Sequence, residues 1–112
     1  MSVQTLWLVS PQQLTTGTVT YYTAGTGQFA TISQATVTNT SGGAETVTIY
    51  LVPSGGSAGD STTIVDVKST AANATTILSE LIGHNIQPGG TIQAVASANT
   101  ALTIAISGVV RT

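Results

Sequence analysis

The sequence predicts an all-β fold, and three observations support this prediction. Apolar and polar residues alternate with a period of two over most of the chain, most clearly at residues 46–52, where Val47, Ile49 and Leu51 fall on one face. The i, i+3, i+4, i+7 apolar spacing of a helix persists nowhere for more than about two turns. Clusters of Gly, Pro, Asn and Ser separate the alternating segments at short intervals.

The alternating segments predict about eight strands. Short strands at this spacing favour two antiparallel sheets packed face to face, because each alternating segment then buries its apolar face. We therefore expect a single antiparallel β-sandwich that is jelly-roll-like. The predicted strands span residues 4–9, 18–23, 29–39, 46–52, 63–68, 75–82, 91–98 and 102–110.

Local features define the connections between these strands. Gly25 and Gly27 predict a tight turn, since glycine accepts the positive φ values that such turns need. The parity of the apolar positions shifts between Ile32 and Ala35, which predicts a β-bulge. Residues 53–61 are rich in Gly and Ser and predict a long projecting loop.

Residues 1–17 are interpreted as an N-terminal strand or arm of the same domain, which is completed by a sandwich over residues 18–112. Leu6, Trp7 and Leu8 form an apolar run before an expected break at Pro11. This run is either an edge strand of the domain's own sheet or a strand that pairs with a neighbouring subunit. The intersubunit role is favoured, and it predicts that deletion of residues 1–10 leaves a folded domain that no longer assembles.

The chain carries very little charge. Only 5% of its residues are Asp, Glu, Lys or Arg, whereas about a quarter is typical of globular domains. Lys68 and Arg111 are the sole basic residues and the net charge is −2, so we expect no nucleic-acid partner. An uncharged, Thr-rich surface is expected where subunits meet.

Length and composition set further expectations. A chain of 112 residues with 41% apolar residues can bury the core of one domain, and without cysteine it has no disulfide to support that core. No apolar run approaches the roughly 18 residues of a membrane span, so no membrane association is expected. No secretory leader is recognised either, which suggests synthesis and use without export.

Two motifs resemble catalytic or cofactor sites but lack the required context. Residues 55–59 match G-x-S-x-G with Ser57 at its centre, yet a strand pattern follows where the motif needs a helix. Residues 25–30 match G-x-G-x-x-A, again without a following helix. We expect no enzyme activity and no cofactor, and Ser57→Ala is expected to leave function unchanged.

Metal or acid–base chemistry is equally weakly indicated. His84 is the only histidine, and the four carboxylates show no recognised ligand spacing to it. No metal site is therefore predicted. The five candidate interface residues are large apolar or aromatic ones, because such side chains bury much area at small entropic cost. They are Leu6, Trp7, Leu8, Tyr21 and Tyr22.

Residues 37–51 contain the pattern V-x-N-T-S-x-x-x-x-T-V-T-x-Y-L, preceded by Tyr-Thr and a Gly turn at 22–25 and followed by P-G-x-T-I-Q-A at 88–94. This combination resembles small β-sandwich structural proteins of tailed-phage virions over about residues 18–110. It departs from them at Gly25, where the related proteins have a proline. The resemblance implies a class found among capsid decoration and tail-associated proteins.

Within that class, the resemblance and the size are most similar to the jelly-roll decoration, or cement, proteins. These proteins sit on the outside of the capsid at local symmetry axes and bridge major capsid subunits. The resemblance thus implies the major capsid protein as partner, a homo-oligomer (dimer or trimer), and synthesis in the bacterial host cytoplasm. A tail, baseplate or head-to-tail accessory protein is the first alternative. A carbohydrate-binding β-sandwich is the second, but it would need a row of exposed aromatics from one Trp, one Phe and three Tyr.

Overall fold

The computed structural model describes residues 2–112, and Met1, the start of the predicted arm, lies outside the described residues. The described chain forms strands joined by turns and one short 3₁₀ turn, which confirms the all-β prediction. The strands are β1 (Val3–Gln13), β2 (Val19–Thr23), β3 (Phe29–Asn39), β4 (Glu45–Val52), β5 (Thr63–Thr70), β6 (Thr75–Ile77), β7 (Asn85–Ile86), β8 (Thr91–Ala96) and β9 (Leu102–Arg111), and the 3₁₀ turn is Asp60–Thr62.

The strands form two antiparallel sheets. One sheet has the order β1-β9-β3-β6, with β7 also paired to β3, and the other has the order β2-β8-β4-β5. The pairings are nested along the chain: β1 pairs with β9, β2 with β8, β3 with β6 and β7, and β4 with β5. A long hairpin rolled into two facing sheets is the jelly-roll arrangement, so the predicted topology is confirmed.

The core lies between the two sheets, and β9 shows how alternation builds it. Its even-numbered residues are buried, and Leu102, Ile104 and Ile106 are fully buried. Val47 and Ile49 on β4 face them from the other sheet, as the alternation predicted. The two sheets therefore share one continuous hydrophobic core.

The predicted bulge in β3 is present. The register between β3 and β9 shifts between Ile32 and Gln34, which leaves Ser33 as the extra residue. Gly108 of β9 lies opposite Ile32, and a Cβ atom there would collide with the carbonyl oxygen of Thr31 and crowd the Leu8 side chain. Glycine is required at position 108 because the backbones approach closely, not because of its φ.

The single strand predicted at residues 75–82 is wrong, because only β6 (Thr75–Ile77) forms within this range and turns follow it. After β6, the Leu81 amide donates to the Leu78 carbonyl at 3.0 Å and the His84 amide donates to the Leu81 carbonyl at 3.1 Å. These successive turns place Leu78 and Leu81 in the core at a spacing of three residues. Period-two alternation cannot bury both residues, so a continuous strand does not form.

The N-terminal segment also differs from expectation. β1 pairs with β9 of the same chain from Val3↔Arg111 to Gln13↔Thr103, so it is an edge strand of the domain's own sheet. The segment therefore completes the domain's own sheet, the less favoured of the two alternatives, and its pairing with a neighbouring subunit stays a prediction. Pro11 does not end the strand, because it lies at an irregularity of an edge strand, where no ladder hydrogen bond needs its missing N–H.

Candidate assembly surface

The outward side of the β1-β9-β3-β6 sheet is the candidate functional surface. The odd-numbered residues of β9 point away from the core, and residues directly opposite each other in an antiparallel pair share a face. The register then assigns residues of β1, β3, β6 and β7 to the same side. We call this surface the outer face, and it comprises Val3, Thr5, Trp7, Gln13, Phe29, Thr31, Gln34, Thr36, Thr38, Thr75, Ile77, Asn85, Thr103, Ala105, Ser107, Val109 and Arg111.

Four large apolar side chains of the outer face are strongly exposed. Their exposed fractions are 59% for Val3, 55% for Trp7, 41% for Phe29 and 55% for Ile77. They lie on β1, β3 and β6, so exposed apolar groups reach from one edge of the sheet to the other. Exposed apolar surface of this extent on one face is typical of a protein interaction site.

Charge is nearly absent from the outer face. Arg111 is its single charged residue, and it lies between Val3 and Phe29 in the register. The remaining charged residues lie on β4 and β5 of the other sheet, in the 3₁₀ turn, or in the loop after β6. Depletion of charge together with exposed aromatic residues is the composition found at the centres of protein interfaces.

The other sheet presents a more polar exterior. Tyr50 and Gln93 are paired there, beside Thr20 of β2, and Asp66 of β5 is exposed. The Lys68 ammonium lies 2.9 Å from the Glu80 carboxylate, and this hydrogen-bonded pair lowers the pKa of Glu80. The pair connects an edge of one sheet to the loop at the edge of the other. Because it is exposed to solvent, it adds little stability.

The structure separates the five predicted interface residues into three groups. Leu6 and Trp7 are exposed on β1, whereas Leu8 is 5% exposed and belongs to the core, so it offers no surface to a partner. Tyr21 and Tyr22 lie on β2 in the opposite sheet and pack partly against the core. Partial burial raises the pKa of both tyrosines. The two tyrosines therefore do not share a surface with Trp7.

Sequence reasoning missed Val3, Phe29 and Ile77 as members of the outer face. Each occupies a strand position whose neighbours along the chain point inward or are polar, so none forms an apolar run. Strand parity could have identified Phe29, but the bulge at Ser33 reverses the parity within β3. The register of the folded sheet is needed to bring these side chains onto one face.

The motifs that resemble chemical sites lie in turns and loops. Ser57 is exposed in the loop after β4, and this loop leads into the 3₁₀ turn and then β5, with no helix. Gly25 and Gly27 form the turn before β3, in which the Gln28 amide donates to the Gly25 carbonyl at 3.0 Å and Gly27 has a φ of 73°. His84 is exposed, and its carbonyl accepts from the Ile32 amide.

Two further features were evaluated as possible sites. An open groove of about 120 Å³ lies between the end of β4 and β7, and it is smaller than the roughly 300 Å³ at which ligand pockets begin. Among residues 2–112, no group of three or more His, Asp or Glu side chains is placed to hold a metal ion. In that same range no helix is long and apolar enough to cross a membrane.

The fold is shared with a protein of a virus. No protein-family model matches the chain, and no curated protein matches it. A chain in the structure of infectious bursal disease virus, Gx strain, aligns with 97% of this chain at a TM-score of 0.56 and 16% sequence identity. The present chain spans 32% of that virus chain, about a third of its length. At this identity the likeness shows a common β-sandwich fold.

Proposed function

We propose that this chain is a non-enzymatic structural protein of a tailed-phage virion, and specifically a decoration protein. In this proposal it binds the outside of the capsid through the outer face and bridges neighbouring major capsid subunits. The observation that carries the proposal is the outer face itself, which exposes Trp7, Phe29 and Ile77 and has one charged residue. The shared fold with a chain of a virus structure supports the proposal.

The mechanism is binding without chemistry. Each copy would cover apolar and hydroxyl surface at a seam between capsid subunits, and that surface must be exposed again before the subunits separate. The hydroxyl groups of the outer face, such as those of Thr36, Thr103 and Ser107, lie between the apolar side chains and can form hydrogen bonds to a partner. Many moderate contacts then act together, as multivalent attachment predicts.

The positions of the aromatic side chains disfavour the carbohydrate-binding alternative. Trp7 lies opposite Ser107 and Phe29 opposite Arg111, so other side chains separate the two rings on the outer face. Tyr50 lies on the other sheet. A sugar-binding platform needs adjacent exposed rings, and these three residues do not form one.

Substitution on the outer face tests the proposal. The variants Phe29→Lys and Ile77→Lys place a charge within the proposed contact, so we expect each to lose binding to capsids that lack the protein, measured by co-sedimentation. Val67→Lys is the matched control, since Val67 is 60% exposed on the other sheet and should retain binding. All three variants should keep the wild-type circular dichroism spectrum.

Two outcomes would contradict this use of the outer face. Unchanged capsid binding by both Phe29→Lys and Ile77→Lys would move the contact elsewhere on the molecule. Loss of binding by Val67→Lys alone would assign the contact to the β2-β8-β4-β5 sheet. Binding to purified tails but not to capsids would favour the tail or baseplate alternative.

A further inference from the structure

The free edge of β1 differs from the other sheet edges. β6, at the far edge of the same sheet, has only three residues. In the other sheet, β2 is interrupted by a bulge, and β5 carries Asp66, Lys68 and two register shifts. Such features protect edges from pairing with another chain.

β1 lacks this protection over residues 3–7. The register runs without interruption from Val3↔Arg111 to Trp7↔Ser107, and the first irregularity comes after Trp7. β1 contains no charged residue, and its proline, Pro11, lies beyond the regular part. Residues 3–7 therefore form a regular, uncharged strand edge.

The hydrogen-bond pattern shows which backbone groups this edge presents. The Thr112 amide donates to the Ser2 carbonyl at 3.0 Å, so these two residues form a hydrogen-bonded pair. Bonding and non-bonding pairs alternate along an antiparallel ladder, so Gln4 and Leu6 bond to β9. Val3, Thr5 and Trp7 then direct their N–H and C=O groups away from β9, toward the free edge.

We propose that residues 3–7 pair antiparallel with the same segment of a second copy of this chain, about a two-fold axis at Thr5. In this register Val3 lies opposite Trp7 of the second copy, and Thr5 lies opposite Thr5. Every outward-directed backbone group then meets another outward-directed group. A β-branched residue opposite an aromatic and Thr opposite Thr are favourable cross-strand pairs.

The second copy is the occupant that this edge fits best, because the segment is complementary to itself. A two-fold interface requires each surface to match its own copy, and residues 3–7 do so in backbone polarity and in side-chain pairing. No charge on β1 opposes the approach of an identical strand. Pairing with the strand of a different protein would not require this self-complementarity, so its presence favours a second copy.

The pairing of the two copies does not depend on the proposed function. Only the use of the dimer to bridge capsid subunits rests on that function. An axis through the paired edges is perpendicular to the sheet, so the outer faces of both copies lie on the same side. The two β1-β9-β3-β6 sheets become one continuous sheet with a doubled outer face. Such a dimer could contact two capsid subunits at once.

Introducing a positive or a negative charge at Thr5 tests the pairing. Thr5 is exposed, and its side chain would lie beside its own copy at the axis. Thr5→Lys and Thr5→Glu should each sediment as monomers, because like charges directly opposite oppose pairing, and an equimolar mixture of the two should recover the dimer. Thr20→Lys, an exposed threonine on the β2 edge of the other sheet, should remain dimeric like the wild type.

The outcomes separate this inference from the proposed function. Wild type that stays monomeric up to about 1 mM, or Thr5→Lys that stays dimeric, would overturn the pairing. Two monomeric Thr5 variants that do not form a dimer when mixed would also overturn it. Ile77→Lys should remain dimeric while losing capsid binding, so failure of the capsid contact leaves the dimer result unaffected.

Discussion

Asn39 shows how one buried polar side chain organises a turn. Its amide nitrogen donates to the carbonyls of Gly43 at 2.8 Å and Thr70 at 3.0 Å, and its side-chain oxygen accepts from the Ser41 amide at 2.9 Å and the Ser41 hydroxyl at 2.7 Å. Asn39 is fully buried, and its bond to the Thr70 carbonyl is shielded from water, whereas the bonds to Ser41 and Gly43 are partly buried. The Asn and Ser of the V-x-N-T-S pattern thus have a structural role in joining β3 to β4 and β5.

Asn39→Asp is expected to destabilise the fold by about 3 kcal/mol or more, because the carbonyls of Gly43 and Thr70 lose their donor and a carboxylate is buried beside them. Urea denaturation should show a lower midpoint with an unchanged slope. Asn73→Asp is the control, since Asn73 is exposed in a turn with a φ of 56°, which Asp also tolerates. Equal midpoints for the two variants would contradict the role of Asn39.

At the scale of the strand, β1 both stabilises its own domain and presents surface to a partner. Leu8 and Val9 point into the core, and the inner edge of the strand completes the pairing with β9. The side chain of Trp7 belongs to the outer face, and the proposed dimer uses the opposite edge. One strand can therefore stabilise its own domain and still offer a surface to a partner.

Deletion of residues 2–10 is expected to abolish folding. The deletion removes Leu8 and Val9 from the core, at about 2 kcal/mol each for lost burial, and leaves most of the β9 edge unpaired. That loss is a large part of the 5–15 kcal/mol that stabilises a typical domain. Circular dichroism and thermal unfolding measure it, and Leu6→Thr with Trp7→Thr is the control that should stay folded. A folded deletion variant would restore the interpretation of this segment as an arm.

The sequence predicted strands well where each strand alternates and has neighbours on both sides. β3, β4 and β9 appear at the expected positions, and the parity shift correctly indicated the bulge beside Ser33. Prediction failed where tertiary position decides the outcome. Pro11 is tolerated only because β1 is an edge strand, and Leu78 and Leu81 form a turn only because the core accepts both.

The candidate surface was less predictable than the fold, for a related reason. Trp7 is identifiable from its size alone, but the outer face exists only because the register aligns Val3, Phe29 and Ile77 across β1, β3 and β6. Leu8 belongs to the same apolar run as Trp7, yet alternation points it into the core, and the register shift after Trp7 turns Val9 inward as well. A sequence pattern indicates which side chains of one strand share a face, whereas this surface depends on how neighbouring strands are paired.

For the whole molecule, the two exteriors of the jelly roll differ in character. The β1-β9-β3-β6 sheet exposes apolar and hydroxyl groups with Arg111 as its one charge, whereas the exterior of the other sheet includes Tyr50, Gln93 and Asp66. This asymmetry supports the proposal that one face is used for assembly while the other faces solvent.

The copy number of this chain in purified virions tests the central proposal most directly. Quantitative mass spectrometry of intact particles, and of separated heads and tails, measures it relative to the major capsid protein. A decoration protein should be recovered with the heads, in a number comparable with that of the major capsid protein. Absence from the particle, or recovery only with tails in a few copies, would contradict the account.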